Sequence, residues 1–358
     1  MKRRAPAIGW RFIAALAIGW LVLWLVALRD PERVFTAYLA AWLLLLAIPL
    51  GSLCLLMIHA LTGGERGREL RRHCTDAVRC LPLSLLLSLP LMCGAPWLFG
   101  WAQAAHRDDW PVHYLNLPFF YLRCAACFAC WLMLARGAVR RAGRDAWTGY
   151  AAGGLILMLL STSIGAVDWI MSRVAGWHST ALGATLFASQ LLTALAFAVW
   201  RHLRDATQAG LAPRRQDMAN LLLVAALGWG YLAFMDYLTA WISDLPADNA
   251  WYLPRLRTDW RWLGATLAVV PLSCILPLLA RAVKQSVTPL RWIAGLLFVT
   301  QAFYDLWLVL PDVHRGGPAW SWREPLAWLC ATGPAICAWI PGKTRRVDTD
   351  ARAMDAAT

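Results

Sequence analysis

The stretch V-F-T-A-Y-L-A-A-W-L-L-L-L-A-I-P-L-G-S-L-C-L-L-M-I-H-A-L (34–61) decides the fold. It contains no Asp, Glu, Lys or Arg. Coiled as a helix it reaches about 40 Å at 1.5 Å per residue, more than the roughly 30 Å hydrocarbon thickness of a bilayer. It is apolar on every side, so it needs lipid or other helices all round.

Working outward, nine further stretches have the length and apolarity of a span: 9–28, 76–102, 118–136, 151–173, 179–200, 218–243, 260–281, 289–310 and 322–340. The expected fold is an all-α polytopic membrane protein with ten transmembrane helices. The bulk figures agree. Of 358 residues, 59% are hydrophobic and 15% charged, against about 45–50% and 25% in soluble domains. Residues 9–28 follow Lys2, Arg3 and Arg4 but form a full span with no small-residue cleavage site, so they read as a retained helix and not a signal peptide.

Orientation follows from the basic residues, which gather on the cytoplasmic side of membrane proteins. With the N-terminus cytoplasmic, 24 of the 34 Lys and Arg fall inside, nine outside, and Arg123 within a span. Both termini come out cytoplasmic, and the formal charge of +13 becomes a topology signal with some anionic-lipid contact. A nucleic-acid partner is not expected, because no soluble basic face exists. Many of the 23 tryptophans stand near helix ends, as an aromatic belt does. Residues 1–342 read as one membrane domain and 343–358, charged and Ala-rich, as a disordered cytoplasmic tail. Tyr114-Leu115 and Tyr252-Leu253 occupy matching loops of spans 2–5 (34–173) and 6–9 (179–310). This suggests two parallel four-helix bundles with 9–28 and 322–340 flanking them.

Ionisable residues within spans are expensive and mark function or helix pairing. Here they are His59, Arg123, Asp168, Asp236 and Asp305, with His178 at the start of span 6. All but His59 share one outer depth. They can pair, relay protons or line a water-filled cavity; Ser161, Thr162 and Ser163 either extend that chain inward or bond back to their own helix. Asp168 and His178 make the best pair for an outward proton exit. Cys124, Cys127 and Cys130 lie on an apolar helix, where spacings of three drift around the axis. They read as packing, not as iron–sulfur ligands. There is no C-x-x-C-H and no second deep histidine, so neither haem nor metal is expected.

Seven strings go further: L-M-I-H-A-L-T-G-G (56–64), Y-L-N-L-P-F-F-Y-L-R (114–123), A-V-D-W-I-M-S (166–172) with W-H-S-T (177–180), N-L-L-L (220–223) with W-G-Y-L-A-F (229–234), W-I-S-D-L-P (241–246), W-Y-L-P-R (251–255) and D-L-W-L-V-L-P (305–311). In that order the chain, from about 34 to 340, resembles the quinone-binding F subunit of alternative complex III, a bacterial quinol:cytochrome c or quinol:acceptor oxidoreductase. The resemblance implies a membrane subunit of the NrfD/PsrC type in the bacterial inner membrane. Such a subunit holds no redox centre of its own, provides a quinone-site-like cavity or a proton pathway, and is accompanied by iron–sulfur, multihaem cytochrome c and NrfD-like membrane subunits. The positions that match are His59, Asn116, Arg123, Asp168, Trp169, His178, Trp229, Tyr231, Trp241, Trp251, Tyr252, Arg255 and Asp305. The chain departs from the pattern at Asp236, where the family tends to carry an amide, and at Ser243-Asp244, where it tends to carry Gly-Asn. Two other readings stand beside this one: a purely structural assembly subunit of a respiratory complex, and a transporter working alone.

Overall fold

The computed structural model describes residues 10–63, 68–103, 111–142, 147–204, 212–318 and 321–339. The expected tail at 343–358 and the basic residues Lys2, Arg3 and Arg4 lie outside them. Fifteen helices follow in order: α1 (Trp10–Ala27), α2 (Pro31–Thr62), α3 (Arg68–Val78), α4 (Leu81–Leu86), α5 (Leu89–Leu98), α6 (Leu117–Arg141), α7 (Thr148–Trp169), α8 (Leu182–Arg204), α9 (Ala212–Ser243), α10 (Pro246–Asn249), α11 (Tyr252–Arg257), α12 (Trp260–Leu279), α13 (Arg281–Gln285), α14 (Val287–Val309) and α15 (Arg323–Trp339). No strand occurs among the described residues. Seven helices are long and apolar enough to cross a membrane, or eight if one bent pair counts as a single span. The first and last of the ten expected stretches are helical but shorter: Phe12–Ala27 and the 17 residues of α15.

The quoted stretch becomes the axis of the molecule. Residues from Val34 to Met57 of α2 are almost all buried, as expected of a helix with no polar face. On one side α2 packs against α5, α6 and α7, and on the other against α8 and α14, while α1 and α15 pack on each other and on α2. Helices α8, α9, α12 and α14 pack among themselves as a second group. The two groups meet at α2 and α8, and Gly51 makes that approach possible. A Cβ on Gly51 would overlap the Gln190 carbonyl oxygen.

The expected single span 76–102 is broken. Helix starts earlier, at Arg68, and is interrupted before α4 and again before α5, with a 48° bend between Leu70–Leu86 and Leu89–Leu98. Pro82 and Pro90 stand in the first turns of α4 and α5 and Pro96 lies inside α5, where each lacks an N–H to continue the helix. Carbonyls freed at membrane depth need donors. Tyr38 and Trp42 of α2 supply them, to Leu87 O (2.9 Å) and Ser84 O (2.8 Å). The tryptophans divide between two roles. Trp97, Trp241, Trp262 and Trp322 are exposed, as a belt requires, whereas Trp101, Trp177, Trp251 and Trp260 are core residues.

Candidate functional site

The acidic residues expected to share one depth do gather at one end of the bundle, where α7 and α14 finish. They form separate clusters with different partners, not one shared channel.

The first cluster holds Asp168. It stands in the last turn of α7 and is buried. Arg123 of α6 grips it from the side, Nε donating to both oxygens (2.8 and 3.1 Å) and Nη2 to Oδ1 at 2.8 Å. Nη1 donates to Tyr114 O at 2.8 Å, and the guanidinium lies 3.8 Å over the Tyr114 ring. Such two-pronged, charge-assisted contacts are the strong ones. The expected Asp168–His178 pair does not form. His178 is exposed in the turn between α7 and α8. Of the neighbouring hydroxyls, Ser161 and Ser163 take their local option, while the buried Thr162 Oγ1 has no hydrogen-bond partner among the described residues. Ser161 Oγ donates to Leu157 O (2.6 Å) and Ser163 Oγ to Leu159 O (2.9 Å), so they do not extend a chain inward.

The second cluster holds Asp236 of α9. Tyr252 OH donates to Oδ2 at 2.9 Å and Ser179 Oγ donates to Oδ1. Both donors are neutral, and no cation pairs with Asp236 among the described residues. Burial, and then the Asp236 carboxyl, push the Tyr252 phenol well above its ordinary pKa of 10.0. Tyr252 therefore remains a hydroxyl donor. At the other departure from the family pattern, Asp244 is the one described non-glycine with positive φ, at 47°. Gly and Asn adopt that left-handed region most readily, and Asp nearly as well.

The third cluster is only partly legible in the sequence. Arg255 is one of the positions the resemblance singles out, whereas neither Arg173 nor Asp312 is singled out. In the fold, Arg255 Nη2 meets Asp312 Oδ1 at 2.8 Å and Arg173 Nε meets Oδ2 at 3.5 Å, all three side chains being buried. Arg255 also donates to the carbonyls of Trp251 (2.6 Å), Trp307 (3.1 Å) and Leu308 (2.8 Å), and stacks 3.6 Å over Trp251. Arg173 donates to Leu98 O (3.1 Å) and Thr36 Oγ1 (3.0 Å). One carboxylate thus bridges the two helix groups. The sequence signal was present in Asp312 directly after Leu310-Pro311, a turn of helix that ends α14 with an acid.

The other expected site residues play different parts. Asn116 caps α6, accepting from Phe119 N at 3.0 Å. Tyr231 is 63% exposed on α9, facing away from the acids. His59 sits half-buried at the far end of α2, apart from the clusters. Asp305 is buried in α14, and Tyr304 beside it lies within electrostatic reach of both Asp305 and Asp236. A shallow cavity of about 360 Å³ at the same end is lined by Arg33, Asp259 and His314, and by none of the residues expected from the sequence. Among the described residues no three His, Cys, Asp or Glu are disposed to hold a metal ion.

His314, outside the spans, provides a pH test. It is buried and paired with Glu324 at 3.2 Å, yet burial outweighs that attraction and lowers its pKa from the usual 6.5. Arg33 opposes protonation as well, while Asp30 favours it. A histidine held neutral in the fold protonates more readily once the chain unfolds. Stability is therefore full above the unfolded value and falls as pH drops through about 6.5 toward the folded one. Thermal unfolding of the purified chain from pH 7.5 to 5 should show this loss, and His314→Gln should lessen it.

The described residues form an all-helical, multi-pass membrane protein whose three buried acidic clusters lie at one end. Compared with known families and with curated proteins, the chain matches neither a family model nor a relative.

Proposed function

We propose that the chain is a membrane subunit, without a redox centre of its own, of a quinol:acceptor oxidoreductase of the alternative complex III type. It would have ten spans in two four-helix bundles with flanking helices and both termini cytoplasmic. Iron–sulfur, multihaem cytochrome c and NrfD-like subunits would be its partners in the bacterial inner membrane. Its part is to carry protons released by quinol oxidation, beside a quinone-site-like cavity.

One observation carries the reading. The strings on which the resemblance rests, far apart in sequence, meet in space. Tyr114 and Arg123 close on Asp168 of A-V-D-W-I-M-S. Ser179 of W-H-S-T and Tyr252 of W-Y-L-P-R share Asp236. Arg255 of W-Y-L-P-R binds the backbone of D-L-W-L-V-L-P. Asp236 is the best proton carrier of the three clusters, because neutral hydroxyls hold it. The saturated Arg123–Asp168 pair favours the alternative role, helix assembly, for the first bundle.

The chain should be tagged and withdrawn from gently solubilised native membranes. Co-purifying c-type haem and iron–sulfur signals are expected, and a colourless lone chain would sink the proposal. The resembled family tends to carry an amide at this position, so the carrier is particular to this chain; in that complex Asp236→Asn should lower quinol-dependent turnover about tenfold or more at unchanged assembly. Unchanged turnover per complex would reassign the cluster to assembly.

A further inference from the structure

The two helix groups treat their final carboxyl differently. Asp168 and Asp305 occupy comparable places, near the end of the fourth helix of each group and just before a tryptophan, Trp169 or Trp307. Asp168 has Arg123, supplied by the third helix of its group. The third helix of the second group, α12, carries no Lys, Arg or His from Trp262 to Leu279. Asp305 is 2% exposed, and among the described residues its Oδ2 receives no hydrogen bond and it forms no ion pair.

Its surroundings are polar. Gln301 lies one turn earlier on α14 and is fully buried. Residues four apart on a helix share a face, with Cβ atoms about 5–6 Å apart. That face looks at α8, since Ser189 Oγ donates to Gln301 Oε1 at 2.6 Å. Gln301 Nε2 has no acceptor, and Gln190 Oε1, next to Ser189 on α8, has no donor. Thr193 Oγ1 continues the polar line by donating to Ser189 O at 2.7 Å. Amide oxygen and nitrogen are interchangeable by a flip. Turned over, Gln301 donates to Ser189 Oγ and leaves its oxygen free to accept. Buried polar groups left open in this number call for an occupant, and a carboxylate in a membrane core calls for a positive one.

We infer that Asp305 and Gln301, at the α8–α14 interface, form a binding site for a single monovalent cation, either a proton taken up on the carboxylate or a sodium ion. The site goes beyond the quinol reading and does not rest on it. A chain that purifies alone can still hold the cation.

The test uses the full chain purified in detergent. Infrared difference spectra between acid and alkaline pH, in sodium-free buffer, should contain the C=O stretch of a buried carboxylic acid. That band should shift on H/D exchange and disappear in Asp305→Asn. If sodium is the occupant, adding sodium suppresses the band, and sodium raises the melting temperature over choline in the native chain but not in Asp305→Asn. Gln301→Leu should displace the band or weaken the sodium effect. Should Asp305→Asn not fold, Asp305→Glu replaces it, and the band or the sodium effect must then move with the longer side chain. A chain with neither an Asp305-dependent band nor an Asp305-dependent sodium effect overturns the inference.

Discussion

Arg123→Met should destabilise the protein by about 3–5 kcal/mol, the usual cost of stranding one partner of a buried ion pair. Asp168 would keep its place in the last turn of α7 but lose every charged donor that faces it. The Tyr114 carbonyl would lose its guanidinium donor too, and the loop before α6 would loosen. The companion experiment is the double variant Arg123→Met/Asp168→Leu. Two apolar side chains of similar volume need neither counter-charge nor donors, so most of the loss should be recovered. A double-mutant cycle, read from unfolding in mixed micelles, measures the coupling. Strong recovery marks the pair as a helix clamp. A double variant as unstable as its parents would mean that Asp168 serves something other than Arg123.

Asp312→Asn should be at least as damaging. The substitution leaves Arg173 and Arg255 buried, close together and without their shared anion. The penalty is again about 3–5 kcal/mol for a broken buried pair, with repulsion between the two cations added. Because Arg173 reaches Thr36 and Leu98 in one helix group while Arg255 holds Trp307 and Leu308 in the other, the damage should appear as separation of the groups. Limited proteolysis of the 244–259 segment is the measurement. Asp312→Asn should be cut there faster than the native chain, and an unchanged cutting rate would deny the bridge.

These two results bear on how much of the site could be read before the fold. Arg123, Asp168, Asp236 and Asp305 were recognisable because a charge in an apolar run is conspicuous by itself. Their pairing was not recognisable. Asp168 is only ten residues from His178 and 45 from Arg123, so proximity along the chain favoured the wrong partner. Asp312 and Arg173 escaped for the opposite reason, and Arg255 was singled out without its partner. Each stands at a helix end, where charge is ordinary, and only the meeting of two helix groups buries all three.

The apolar runs alone determined the helices and the membrane class, since a backbone in lipid must satisfy its own hydrogen bonds and a long run without charges leaves helix as the solution. Depth was also local, because a residue's position along a straight helix fixes its height. What only the tertiary structure decided was lateral. It set the α2–α8 contact at Gly51, the break between α3 and α5 with its carbonyls served by Tyr38 and Trp42, and the choice of cation for each carboxyl. These depend on the rotation and spacing of neighbouring helices, which packing of all the side chains sets together. Two buried aspartates thus came to differ, one clasped by Arg123 and the other one turn from Gln301 with no ion-pair partner among the described residues.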